Sequence, residues 1–157
     1  MKFAKVFFRL LEKVLSFLTI ISFIGLVAVV LLQIGARFTT TSFIWTEETT
    51  RYLFLFTIAF GAGLGVIKNE YMGIDFILEI FSEKGRALYL RSTYVIMIIT
   101  NGIIAYYGYE FILLGQGQDT STLGFSMAYI HLSIFLMAFF IMIFYIEKLI
   151  DKDVNLQ

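Results

Sequence analysis

The chain has 157 residues, enough for one domain, and 59% of them are apolar, above the roughly 45–50% of soluble domains. Twelve basic and twelve acidic residues cancel, so no basic excess points to nucleic acid and no charge run marks a solvated tail. Cysteine and proline are both missing, which excludes disulfides, thiolate metal sites, iron–sulfur clusters and cysteine nucleophiles, and leaves no helix with a proline kink.

The chain opens on KFAKVFFRLLEK. Lys2, Lys5, Arg9 and Lys13 recur every three or four residues, and Phe3, Val6, Phe7, Leu10 and Leu11 take the other face. That spacing predicts an amphipathic helix over 2–13, which either lies in the membrane plane or extends the next segment on the cytoplasmic side. From Val14 to Ala36 no residue is charged. Such a run makes about 34 Å of helix, enough for a hydrocarbon core of about 30 Å. It exceeds the about 7–15 residues of a signal-peptide apolar region, so it reads as a retained span, 14–36.

A second span is expected over 47–67, its charged tips reaching the interface, because the apolar run between Arg51 and Lys68 is short by itself. In MGIDFILEIFSEKGR, Asp75, Glu79 and Glu83 recur every four residues against Ile74, Ile77, Leu78 and Phe81. This predicts an in-plane amphipathic helix over 72–84 with Gly85 as its stop. A third span covers 90–114, with Glu110 near its boundary. The uncharged-to-acidic connection GQGQDTSTLG follows, then a fourth span over 125–146 that ends at Glu147 and Lys148.

The expectation is an all-α integral membrane protein: one membrane domain over 1–157, four transmembrane helices and one or two interfacial amphipathic helices. Lysine and arginine crowd the N-terminal segment (Lys2, Lys5, Arg9, Lys13), the middle connection (Lys68, Lys84, Arg86, Arg91) and the tail (Lys148, Lys152). By the positive-inside rule both termini and the middle connection are cytoplasmic.

The densest charge on the other side is FIWTEETTRYLF. Thr46 is an expected N-cap, and Glu47 and Glu48 then lie in the first helical turn, where negative charge complements the dipole. Glu47 to Arg51 is i,i+4 and Glu48 to Arg51 is i,i+3, so both can pair with it. Trp45 suits the headgroup level. One reading is a capped, ion-paired and anchored helix start. The other is a cluster facing a partner or lipid, joined by Arg37 from the end of the preceding helix.

GAGLG, Gly61 to Gly65, lacks the spacing and the preceding strand of a dinucleotide loop. Gly61 and Gly65 form GxxxG in an apolar helix, a packing motif. Asn101, mid-span, is expected to make an interhelical hydrogen bond. His131 is the only histidine, too few for a bis-histidine haem or a multi-histidine metal site. With Glu110 it either marks an ion path or sits in the wet interface, or the two pair. No catalytic set and no Walker loop is present. Neither an enzyme nor a cofactor is expected, and four helices with so few buried polar groups do not suggest alternating access by this chain alone.

IWTEETTRYLF followed by GAGLGVIKNEYMGIDFI resembles the small membrane (DctQ-like) subunit of tripartite ATP-independent periplasmic (TRAP) transporters. The matching positions are Arg37 at the end of span one, Trp45, Glu47 and Glu48 in a W-x-E-E motif, Gly61 and Ala62, Lys68, and Ile74-Asp75. Ser121 and Leu123 match an S-x-L stretch before the last span. The family often has histidine before the I-D segment, where Tyr71 stands here, and prolines around the last span, where Ser126 stands at one such position.

The resemblance implies a multi-pass protein of the bacterial inner membrane without a substrate site of its own. It would scaffold a large multi-span TRAP subunit that carries the substrate and sodium sites. A periplasmic binding protein would deliver an organic acid, a sialic acid or a C4-dicarboxylate. Arg37, Trp45, Glu47, Glu48, Arg51, Lys68, Asp75 and Ser121 become candidates for contact with a partner or phospholipid, and Gly61, Gly65 and Asn101 for helix packing. Two other classes share the span count: a membrane anchor of a redox complex, disfavoured with His131 as the one available haem ligand, and a small homo-oligomeric channel built on GxxxG and Asn101.

Overall fold

The computed structural model describes residues 2–38, 43–68 and 83–150. They form four helices: α1 (Lys2–Ala36), α2 (Ile44–Ile67), α3 (Glu83–Gly115) and α4 (Ala128–Ile150). Each is long and apolar enough to cross a membrane. Apart from one isolated bridge between Asp119 and Ser126, regular structure among the described residues is helical.

The amphipathic segment 2–13 is no separate element. It continues without a break into the first span, and the 35 residues of α1 reach about 52 Å, well beyond a hydrocarbon core of about 30 Å. Its inward face carries Phe8 and Leu11, which pack with Leu15 against the core, while Val6, Phe7 and Leu10 are exposed. The last turn of α1 closes with tight i to i+3 bonds, from the Arg37 N–H to the Ile34 carbonyl (3.2 Å) and from Phe38 to Gly35 (3.1 Å). The expected in-plane helix over 72–84 falls, but for its last two residues, outside the described residues. Gly85, the expected stop, lies inside α3. The residues after it, Arg86-Ala87-Leu88-Tyr89-Leu90, carry the helix past the roughly 1 kcal/mol that glycine costs against alanine.

The helices stand in a row. α1 packs on α2, α2 on α4, and α4 on α3, with no other pair in comparable contact. The order across the layer is therefore α1, α2, α4, α3, and among the described residues no further element covers either edge. At the end where α1 starts and α4 finishes, Leu15, Val66, Tyr94, Phe144 and Tyr145 form the core, with one or more from every helix. Phe144 is 1% exposed, and its ring lies 6.2 Å from that of Phe8, so the long α1 reaches α4 there.

Close approach depends on glycines. Gly63 of α2 faces α4: a Cβ on it would lie 3.0 Å from the Phe140 Cβ and 3.1 Å from the Phe144 ring. Gly108 of α3 lies against the Phe135 backbone, where a Cβ would come within 3.2 Å of its Cα. Small residues let helices meet in an environment where lipid competes equally for apolar surface. Several hydroxyls inside the spans bond back to their own helices, as from Thr19 to the Leu15 carbonyl (2.8 Å), Thr57 to Leu53 (2.7 Å) and Thr93 to Tyr89 (2.9 Å). A hydroxyl needs such a partner where no water is at hand.

Candidate functional site

The polar chemistry gathers at the other end of the layer, where α2 begins and α3 is joined to α4. α2 starts at Phe43, whose extended backbone (φ −101°, ψ 95°) occupies the N-cap without a side-chain cap. Thr46, the expected cap, sits inside the first turn. It is 1% exposed, and its hydroxyl turns back to donate to the Phe43 carbonyl at 2.6 Å.

Glu47 and Glu48 follow and part company. Glu47 points outward and pairs with Arg51 at 3.5 Å, both side chains largely in solvent. Glu48 does not share that arginine. One helical step of about 100° turns it toward the α3–α4 connection. There Oε1 accepts the Ser121 N–H at 3.0 Å and Oε2 the Thr122 N–H at 2.8 Å. The hydroxyls of Thr122 and Tyr52 also donate to it. One carboxylate thus gathers two successive backbone amides and two hydroxyls, charge-assisted bonds that are shorter and stronger than neutral ones.

The connection it holds is itself closely tied. The Thr120 N–H donates to the Phe125 carbonyl (2.8 Å), Met127 to Gln118 (2.8 Å) and Phe125 to the Thr120 hydroxyl (3.1 Å). Gly124 supplies the turn, with φ +69°, a conformation that costs glycine little. The Ser126 hydroxyl donates to the Gly115 carbonyl at 3.0 Å and accepts the Ala128 N–H at 3.3 Å. It therefore closes α3 and opens α4 together. This is why α4 begins at Ala128 and not at the expected 125. Below, the Tyr52 ring meets Phe125 edge-on at 5.9 Å, and its oxygen lies 3.7 Å from the Met127 sulfur.

His131 lies one turn into α4 and is buried. Its Nδ1 is 2.8 Å from the Phe111 carbonyl, and its ring stacks on that of Phe111 with centroids 3.6 Å apart. A carbonyl only accepts, so Nδ1 carries the proton. Neither the wet-interface reading nor a pair with Glu110 describes it. Glu110 is exposed on α3.

The remaining candidates are scattered. Arg37, just past α1, is exposed, as is Trp45, whose ring lies 6.2 Å from Phe43. Lys68 caps α2 at the opposite end of the layer, its N–H on the Leu64 carbonyl at 3.1 Å. Asp75 is outside the described residues. Ser121 comes to Glu48. Asn101 is buried, yet its amide donates to the Met97 carbonyl of its own helix at 2.8 Å, not across to a neighbour. Gly61 faces Thr19 of α1 at ordinary contact distance, 3.5 Å. Gly63, outside the GxxxG pair, is in tighter contact than Gly61. Tyr52, at i+4 from Glu48, was within reach of sequence reasoning. Thr122 lies 74 positions from Glu48, and no local pattern connects them.

The sequence profile described as "Tripartite ATP-independent periplasmic transporters, DctQ component" matches residues 26–154. A Vibrio cholerae protein named "Sialic acid TRAP transporter small permease protein SiaQ" is 23% identical over 144 residues, which cover 91% of this chain and 83% of that protein. A Haemophilus influenzae protein bearing a TRAP transporter small permease name is 27% identical over 144 residues, 89% of this chain and 87% of its own length.

Proposed function

The chain belongs to the DctQ component family of tripartite ATP-independent periplasmic transporters, and from that premise we propose that it serves as the stiff frame of one such transporter. It is a small permease subunit, not an enzyme, and a multi-pass protein of the bacterial inner membrane. In the proposed arrangement a large multi-span membrane subunit carries the organic acid with sodium. A periplasmic binding protein delivers that acid, and the present chain holds the large subunit's fixed part. Sialic acid is the first substrate to try, on the strength of the Vibrio cholerae relative's name, and C4-dicarboxylates the second.

The observation that carries the frame reading is the Glu48 tie. It spends the second acid of the W-x-E-E block within the chain, joining the start of α2 to the loop that leads into α4. Rigid joints suit a part that a moving partner works against. With both termini cytoplasmic, as the lysines and arginines favour, that loop faces the periplasm. Arg37, Trp45 and the exposed Glu47–Arg51 pair then lie toward the same end of the layer, available to a partner or to phospholipid headgroups.

The test is reconstitution. The chain and the large subunit should co-purify in mild detergent. Uptake of sialic acid into proteoliposomes, given the binding protein and a sodium gradient, should need both. Uptake by this chain in isolation, or full uptake by the large subunit without it, refutes the proposal.

A further inference from the structure

Among the described residues the row has two uncovered edges, and they differ in chemistry. On α1 the outward stripe is Leu10, Val14, Phe17, Ile21, Ile24 and Leu31, all exposed and all hydrocarbon. On α3 the outward stripe is Ile96, Thr100, Ile103, Tyr107, Glu110 and Leu114, spaced four, three, four, three and four. At about 100° per residue these lie within a narrow arc. All six are exposed, Tyr107 by 66% and Leu114 by 67%. The opposite face of the same helix holds the buried Tyr94, Asn101, Ala105 and Gly108, which turn toward α4.

Two groups on the α3 stripe are polar, one deep in the helix and one near its end. The Thr100 hydroxyl lies fifteen residues before the end of α3, about 22 Å into the helix. The Glu110 carboxylate lies five residues before that end, about 7.5 Å in. Thr19, Thr57 and Thr93 return their hydroxyls to their own helices. Thr100 and Glu110 make no hydrogen bond or ion pair among the described residues. An ionisable group on a span face is costly against hydrocarbon and is normally met by a partner group. Tyrosine is also enriched where protein meets protein.

We infer that the α3 stripe through Thr100, Tyr107 and Glu110 is the edge on which the large membrane subunit seats a helix, with a hydrogen-bond donor or cation opposite Glu110, while the α1 edge faces lipid. The inference rests on the proposed role as a subunit of a larger transporter and adds which edge of the layer makes the contact. A hydrocarbon stripe has no hydrophobic drive to leave lipid for another apolar helix and gains only what packing offers. A stripe whose carboxylate and hydroxyl meet no partner among the described residues gains hydrogen bonds as well.

Photo-crosslinking in the intact complex tests it. A benzophenone amino acid is placed at Ile103 or Tyr107 on α3, and at Ile24 or Leu31 on α1, with the large subunit expressed alongside. Irradiation in membranes should give an adduct of this chain with the large subunit from the α3 positions and none from the α1 positions. Adducts from the α1 edge, adducts between two copies of this chain at the α3 edge, or no adduct from either edge while the subunits still co-purify would each overturn the inference and leave the subunit role standing. Loss of co-purification in the unsubstituted protein would remove the subunit role as well. As a second readout, Glu110→Lys should reduce recovery of the large subunit at least several-fold with this chain still inserted, whereas Glu110→Gln retains most of it. Equal recovery from both variants and the parent would place the contact elsewhere.

Discussion

Replacing single glycines by alanine separates the joints that hold the layer from those that merely line it. At Gly115, where α3 ends, a Cβ would lie 2.6 Å from the His131 Nδ1, 2.7 Å from the Ala128 nitrogen and 2.9 Å from its Cα. Two of those three atoms are backbone, and the third belongs to a ring held by the Phe111 carbonyl. Nothing flexible can give way, so Gly115→Ala must push the start of α4 away from α3. Overpacking typically costs about 1–3 kcal/mol, and the rigid surroundings put this case near 3 kcal/mol. At roughly 2–4 °C per kcal/mol for a chain of this size, the midpoint should fall by about 6–12 °C. Gly108→Ala, with Phe135 backbone at 3.2 and 3.3 Å, should cost less, about 1 kcal/mol. Gly61→Ala meets only Thr19 at 3.5 Å and should lie between neutral and about 1 kcal/mol more stable, from helix propensity. Gly117→Ala has nothing within 4 Å and is the control. The assay heats detergent-solubilised protein and measures the fraction that still elutes as a single species. If Gly115→Ala melts within about 2 °C of Gly117→Ala, or if Gly61→Ala is the most damaging, the packing account is wrong.

Three further outcomes follow from the same geometry. Glu48→Gln should speed hydrogen exchange at the Ser121 and Thr122 amides while Glu47→Gln does not, as mass spectrometry of loop peptides would show; equal protection in both would contradict the tie. Arg51→Ala should change the melting free energy by no more than about 1 kcal/mol, because its pair with Glu47 is solvent-exposed; a larger loss would mean a buried role. Phe144→Ala, at a residue 1% exposed where α1, α2 and α4 meet, should cost about 3–5 kcal/mol, and a loss below about 1 kcal/mol would show that the site collapses around the missing ring.

The four spans were legible because a membrane helix is announced by uninterrupted apolar length, which needs no knowledge of neighbours. What each polar residue does was not. Glu47 and Glu48 are the same acid one step apart, and which of them meets the loop depends on where α4 stands relative to α2. Arg51 is within helical reach of both, so local spacing offered two pairs where packing permits one. The glycines repeat the lesson. Gly61 and Gly65 form the recognised pattern, but Gly63 points at Phe140 and Phe144, because the direction of α4 from α2 selects the face. Asn101 was expected to reach across a helix gap. The carbonyl four residues back was nearer. Ser126 was noted only as a position without proline, and its hydroxyl turns out to bond α3 and the start of α4 at once.

The order of the row bears on how the chain is made. Of the four helices α4 is synthesised after the other three, yet it lies between α2 and α3, which have no comparable contact with each other. A nascent chain halted in the loop after Gly115 would hold a hairpin of the first two helices and a third one adrift in the bilayer. Quality-control proteases that scan newly inserted proteins would meet that species until the 23 residues of α4 emerged and slid in as a keystone.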